Sequence, residues 1–238
     1  FAHDKVLGIN FWGDGTGTQI RQRRWLAYTD GDDEARMAVE LAWFDGHDPQ
    51  PLILQEVIAA VAPDDRGGLL LELQTSLRSV AESLELGVTN FGLLAVRVAK
   101  SISAVFGDGV LTGANGQQTE KRLFGQPSAW IDYSGSIDVG VTEGITYFDH
   151  PENATYPSKW HVRDDGWMGA SICRDQPVLL SSEQPRRWRY LLHAHAGSVD
   201  LAQTGEMASR FAKRGRLQVR DDPRPHHTAT IVRLSEGN

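Results

Sequence analysis

The sequence predicts an all-β fold, a large and mainly antiparallel β-sandwich with one C-terminal helix, and three observations predict it. Segments of alternating apolar and polar residues recur along the chain. Short Asp/Gly/Pro turns such as Asp30-Gly31-Asp32-Asp33 separate them, and only residues 199–213 carry apolar positions at helical spacing. In order, residues 7–12 read as a short apolar strand closed by Gly13-Asp14-Gly15-Thr16-Gly17. That turn lacks the Gly-Lys-Ser/Thr of a phosphate loop. Residues 19–28, 36–44, 52–62 and 69–77 form a meander of strands, and 87–98 add a Gly-relieved one. Residues 99–118, dominated by Ser, Gly, Asn and Gln, read as a long loop. Strands resume at 128–134, 144–148, 160–163, 168–173 and 187–196. The helix at 199–213 has Ser198 as its cap, and 228–234 make a last strand.

With 238 residues, 40% of them hydrophobic, the chain can bury one substantial core, expected as a domain over 1–213 with a tail at 214–238. A net charge of -7 argues against nucleic-acid or anionic-membrane binding. Cys173 is the only cysteine, which excludes an internal disulfide framework and a cysteine-rich metal site. No apolar run is long enough to cross a bilayer and no signal-peptide core opens the chain, so a cytoplasmic location is expected. The first residue is Phe1, which leaves a targeting segment ahead of it open.

Residues 144–163, GITYFDHPENATYPSKWHVR, hold the densest chemistry: His150 and His161, the acid Asp149, and a group of aromatics stiffened by two X-Pro steps. If the segment folds back, both imidazoles and Asp149 meet as an acid–base group or as metal ligands; ordinary packing of satisfied histidines explains them equally well. Asp132, in Trp130-Ile131-Asp132-Tyr133-Ser134-Gly135, is a general base or hydroxyl acceptor, or else a strand-end carboxylate bonded to a turn. Glu56 and Arg97, each in an apolar run, are expected to pair. His193 and His195 share a strand face with Leu191 and read as structural. No nucleophile elbow, Walker motif, dinucleotide fingerprint or HExxH is present.

The segments FAHDKVLGINFWG, SAWIDYSG, GITYFDHPENATYPSKWHVR and the strand ending RYLLHAHAG resemble a PmoA-like family of bacterial proteins that carries a methane-oxygenase label and no assigned function. Asp-His-Pro-x-Asn together with Trp-His-Val-Arg is the most specific part of the resemblance, which runs from residue 1 to about 213. The family usually has a His-rich segment and further strands ahead of FAH. The resemblance therefore implies a partner chain or homo-oligomer that completes the fold, with Pro225-His226-His227 a faint echo of the His-rich segment. It further implies a concave β-sandwich associated with sugar catabolism, and hence a carbohydrate-processing enzyme: a lyase, epimerase or hydrolase. His150, His161, Asp132 and Asp149 are its expected catalytic groups. Asn10, Trp12, Trp130, Tyr133, Asn153, Trp160 and Arg163 would contact the sugar, and His3, His150 and His161 would hold a divalent metal. The alternatives are a non-catalytic sugar-binding module or subunit of a split assembly, and a metal-dependent oxygenase.

Overall fold

The computed structural model describes residues 1–13, 15, 17–224 and 227–235. Asp14, Thr16, Pro225 and His226, on which the first turn and the histidine echo partly rest, lie outside the described residues. In chain order the strands are β1 Gln19–Thr29, β2 Ala35–Phe44, β3 Ile53–Pro63, β4 Leu69–Ser79, β5 Ser83–Leu86, β6 Ala95–Arg97, β7 Val110–Gly113, β8 Trp130–Asp138, β9 Val141–Asp149, β10 Lys159–Arg163, β11 Trp167–Ser171, β12 Val178–Ser181, β13 Arg186–Ala196, β14 Leu217–Arg224 and β15 His227–Arg233; the helices are α1 Glu120–Leu123 and α2 Leu201–Ala212.

The fold is all-β. Eight strands form one antiparallel sheet in the order β1-β2-β3-β4-β13-β9-β8-β7, and smaller sheets β10-β11-β6 and β12-β5 stand against it. Period-2 alternation divides the large sheet into two faces. Trp43, Ile53, Leu77, Ile131, Tyr133, Tyr147, Trp188 and Tyr190 point inward. They form the main core with Val6, Leu86, Trp160, Val162, Met168 and Leu180 from the opening segment and the smaller sheets.

Two elements cover the outer face. Helix α2 packs through Phe211 on Trp130, Phe148 and Leu191, and the β14–β15 hairpin packs through Leu217 and Ile231 on Ala27, Ala38, Ile58 and Ala60. Between them lies a buried ion cluster. Glu72 and Arg189, each 1% exposed, pair at 3.3 Å, and Arg214 and Arg233 reach the other Glu72 oxygen at 3.1 and 2.9 Å. Beyond the second layer, Trp25 and Tyr28 are each 59% exposed and border an apolar strip with Met37, Val61 and Leu71. Among the described residues no helix is long and apolar enough to cross a membrane.

The meander, the strands around residues 128–173 and β13 lie where alternation places them. Residues 7–12 instead form no strand: Ile9 makes an isolated bridge to Val6, which also bridges to Leu86. Of residues 87–98 only β6 is strand, and the predicted loop 99–118 contains β7. Asp200, not Ser198, caps α2, accepting from the N–H groups of Ala202 (2.9 Å) and Gln203 (3.1 Å). The expected tail contains a hairpin bound to the sheet. Glu56 and Arg97 do not pair. Arg97 binds Asp165 at 3.2 Å, while Glu56 sits across the β2–β3 ladder from Glu40 and burial pushes its pKa up.

Candidate active site

On β13, Leu191, His193 and His195 point to the outer face, and sheet register decides whom they meet. Reading across β13, β9 and β8, His193 lies in a row with Thr146 and Asp132, and His195 in the next row with Gly144 and Ser134. Gly144 leaves a gap in the middle of its row, and His195 leans through it so that Nε2 lies 2.8 Å from Asp132 Oδ2. Asp132 is fully buried and also accepts from Thr146 Oγ1 at 2.8 Å and from Ser134 Oγ. The second imidazole has its own carboxylate. His193 Nε2 lies 2.6 Å from Asp64 Oδ2, and Asp64 is fixed in the β3–β4 turn by the N–H groups of Arg66 (2.8 Å) and Gly68 (2.6 Å). The two rings stand 5.2 Å apart, centroid to centroid.

Their environments drive the two histidines apart. Burial works to lower His195, but the hydrogen bond and charge of Asp132 outweigh it and hold its pKa above the ordinary imidazole value. At His193 burial, joined by the charge of His195, outweighs the bond to Asp64 and holds the pKa below that value. With Nε2–H donated to Asp64, Nδ1 carries the lone pair and has no hydrogen-bond partner among the described residues. Both rings line a cavity of about 760 Å³ between the sheet, the β3–β4 turn and α2, which Arg66, Gln203, Met207 and Arg210 also border. Arg66 donates to Gln203 Oε1 and so ties turn to helix.

A side chain at residue 144 closes the gap. An added Cβ would lie 2.5 Å from Ser134 Oγ and 2.8 Å from the His195 ring. Gly144→Ala is therefore expected to part His195 from Asp132 and to drop the His195 pKa, as followed by its ring-proton shifts; an unmoved titration contradicts the gap reading.

Of the expected site residues, only Asp132 lies here. His150 is a positioning group for the helix: Nε2 donates to Phe211 O at 3.1 Å, Nδ1 accepts from Glu152 N–H at 3.1 Å, and the ring packs edge-on to Phe211. Both its nitrogens are thus spent. Asp149 accepts from Asn153 Nδ2 (2.6 Å) and Ser158 N–H (2.8 Å), and Asn153 also bridges to the Arg189 backbone, so this pair locks the turn after β9. Trp130 is core beneath α2. Trp160 is core too, its Nε1 donating to Ser128 O at 2.8 Å, and the Tyr133 hydroxyl pins Ala104 N and Asp164 O. Asn10 closes a turn onto the N–H groups of Trp12 and Gly13, and exposed Arg163 pairs with Glu120 at 3.3 Å. His3, Trp12 and His161 lie at the opposite face, away from His150, so the expected metal triad does not converge. Among the described residues no group of three or more His, Cys, Asp or Glu side chains could hold a metal ion. The residues missed are His193, His195 and Asp64; two histidines two apart on one strand face were the available signal.

The buried imidazoles set the acid response of the fold. Burial pushes His3, His150 and His161 down to about 4 from the ordinary 6.5. Between those values the unfolded chain binds more protons than the folded one, so stability falls as pH falls from 6.5 to 4. Asp149, pushed up to about 6 from 3.8 by burial, acts in the opposite sense over its narrower window, where stability falls as pH rises. His193, held below its ordinary value, adds to the first sense and Glu56, pushed up by burial, to the second. Four groups outweigh two, so the urea midpoint is expected to drop on acidification across this range, and a rising midpoint contradicts it.

The fold and these paired groups define an all-β protein with an imidazole–carboxylate cavity. The chain belongs to a family of unknown function, DUF6807, whose model matches residues 1–209. No curated protein matches it. Two solved structures are similar at a TM-score of 0.35. One, a candidate kojibiose phosphorylase from the human microbiome, is 8% identical, with 75% of this chain and 20% of that one covered. The other, a candidate mutarotase from Salmonella typhimurium, is 11% identical, with 73% of this chain and 65% of that one covered. The chain thus spans a fifth of the first and just under two thirds of the second.

Proposed function

We propose that the protein is a proton-transfer enzyme acting on a small polyhydroxylated molecule of the carbohydrate class, as an epimerase or lyase. One observation carries this reading: two histidines, each bonded to its own carboxylate and held to opposite sides of the ordinary pKa, stand side by side on one cavity wall. In this reading His193 is the base. Asp64 fixes its tautomer, and the bare Nδ1 takes a proton from a substrate carbon or hydroxyl. His195, whose pKa Asp132 holds above the ordinary imidazole value, faces the charge that develops and in its protonated form returns a proton; its Nδ1 lies 3.4 Å from Ala196 O, and backbone bonds to Ala196 and Gly197 add to the upward shift. Gln203, Arg66, Arg210 and Asp200 supply amide, guanidinium and carboxylate partners for hydroxyl groups.

The test is solvent exchange. A panel of aldoses, ketoses and sugar acids is incubated with the protein in D2O, and carbon-bound deuterium is followed by NMR. The reading expects deuterium at one carbon of at least one sugar, lost in His193→Asn. Exchange that survives the substitution unchanged defeats it.

A further inference from the structure

The inner side of the molecule holds a second cluster that the cavity chemistry does not use. His161 on β10 stands between Phe91 (4.5 Å, perpendicular) and Phe124 (5.4 Å), with Trp167 of β11 at 5.9 Å and Trp12 edge-on to Trp167 at 5.4 Å. His3 joins it through Gly92, the neighbour of Phe91, where an added Cβ would lie 2.6 Å from the His3 ring. Polar atoms here are buried and unpartnered: His3 Nε2, Trp12 Nε1, His161 Nδ1, Asp4 Oδ1 and Asp165 Oδ1. His3 is fully buried and His161 is 6% exposed. A buried polar atom without a partner is destabilising, and several gathered on one aromatic wall mark a place where a ligand supplies the bonds.

The donor set selects the ligand. His3 Nδ1 accepts from Lys5 N–H at 3.1 Å, so its Nε2 carries an unspent N–H, and Trp12 Nε1 offers a second. Asp4 and Asp165 offer acceptors. Burial keeps both imidazoles uncharged at neutral pH. Imidazole and indole N–H donors beside carboxylate acceptors match hydroxyl groups, which both donate and accept, and aromatic rings match the C–H surface of a sugar ring. Phe91, 38% exposed, brings the wall to the surface.

We propose that this wall is a second binding site, separate from the imidazole–carboxylate cavity, which takes a neutral pyranose-type ring. His3, Trp12 and His161 bond its hydroxyls, and Phe91 and Trp167 flank its C–H face.

The full chain is titrated with D-glucose, D-galactose, D-xylose and D-mannose, with tryptophan fluorescence and saturation-transfer NMR as readouts. At least one sugar is expected to give a saturable response. Trp12→Phe, which deletes the indole N–H, and His161→Phe, which keeps the ring packing, should each weaken it about tenfold, the size of one lost hydrogen bond. His193→Asn should leave it unchanged. No saturable response in the wild type overturns the proposal, as does a response kept in both wall variants or lost in His193→Asn.

Discussion

His193→Asn is expected to lower deuterium incorporation into the substrate by roughly 10²–10⁴-fold, the usual contribution of a positioned general base, with circular dichroism unchanged. Asparagine reaches only as far as the Nδ1 position, where its amide supplies no basic nitrogen; it gives up the bond to Asp64, which the N–H groups of Arg66 and Gly68 still hold in the turn. The side chain lines a cavity rather than the core, so its loss opens no packing defect. Asp64→Asn should also reduce the rate, by a different route. An amide at residue 64 can donate to Nε2, and the imidazole then carries its proton on Nδ1, where the base is needed bare. Comparable rates for wild type and His193→Asn, at saturating sugar, would remove His193 from the chemistry.

Glu72→Ala is expected to destabilise the protein by about 3–5 kcal/mol, much of the total stability of an ordinary domain, because it takes from the buried Arg189 guanidinium its one buried carboxylate partner. Arg189 is 1% exposed, and without Glu72 its guanidinium keeps the half-exposed Glu152 and the carbonyls of Arg214 and Gly215. Arg214 and Arg233, which bring α2 and the hairpin to the sheet, lose the same anchor and keep Glu34. The paired replacement of Glu72 and Arg189 by methionine should cost far less, since no charge is then left unpartnered. Urea denaturation decides the matter: a loss below about 1 kcal/mol for Glu72→Ala would show that the cluster is solvated, as surface pairs are.

Much of the fold was legible because period-2 alternation survives wherever one face is buried. β13 is the clearest case: Tyr190 and Leu192 turn inward, and Leu191, His193 and His195 outward. Residues 87–98 failed because apolar content there reflects loop side chains, Leu93 and Leu94, buried in the core without a ladder. The site was harder to read. Asp132 stood out, but its partner lies 63 residues on and meets it only because β9 puts Gly144 between them. Asp64 looked like one more turn residue. His150 misled in the other direction, since nothing in its sequence neighbourhood announces that the Phe211 carbonyl accepts its Nε2–H.

The two cavity imidazoles, each bonded to its own carboxylate, are held to opposite sides of their ordinary pKa, and the splitting is directly observable. Histidine ring-proton NMR across pH 4 to 9, assigned with His193→Asn and His195→Asn, measures it without any substrate. The predicted result is two distinct steps, His193 below 6.5 and His195 above it, with Asp132→Asn bringing the upper step down. Two histidines titrating together near 6.5, unmoved by Asp132→Asn, would contradict it.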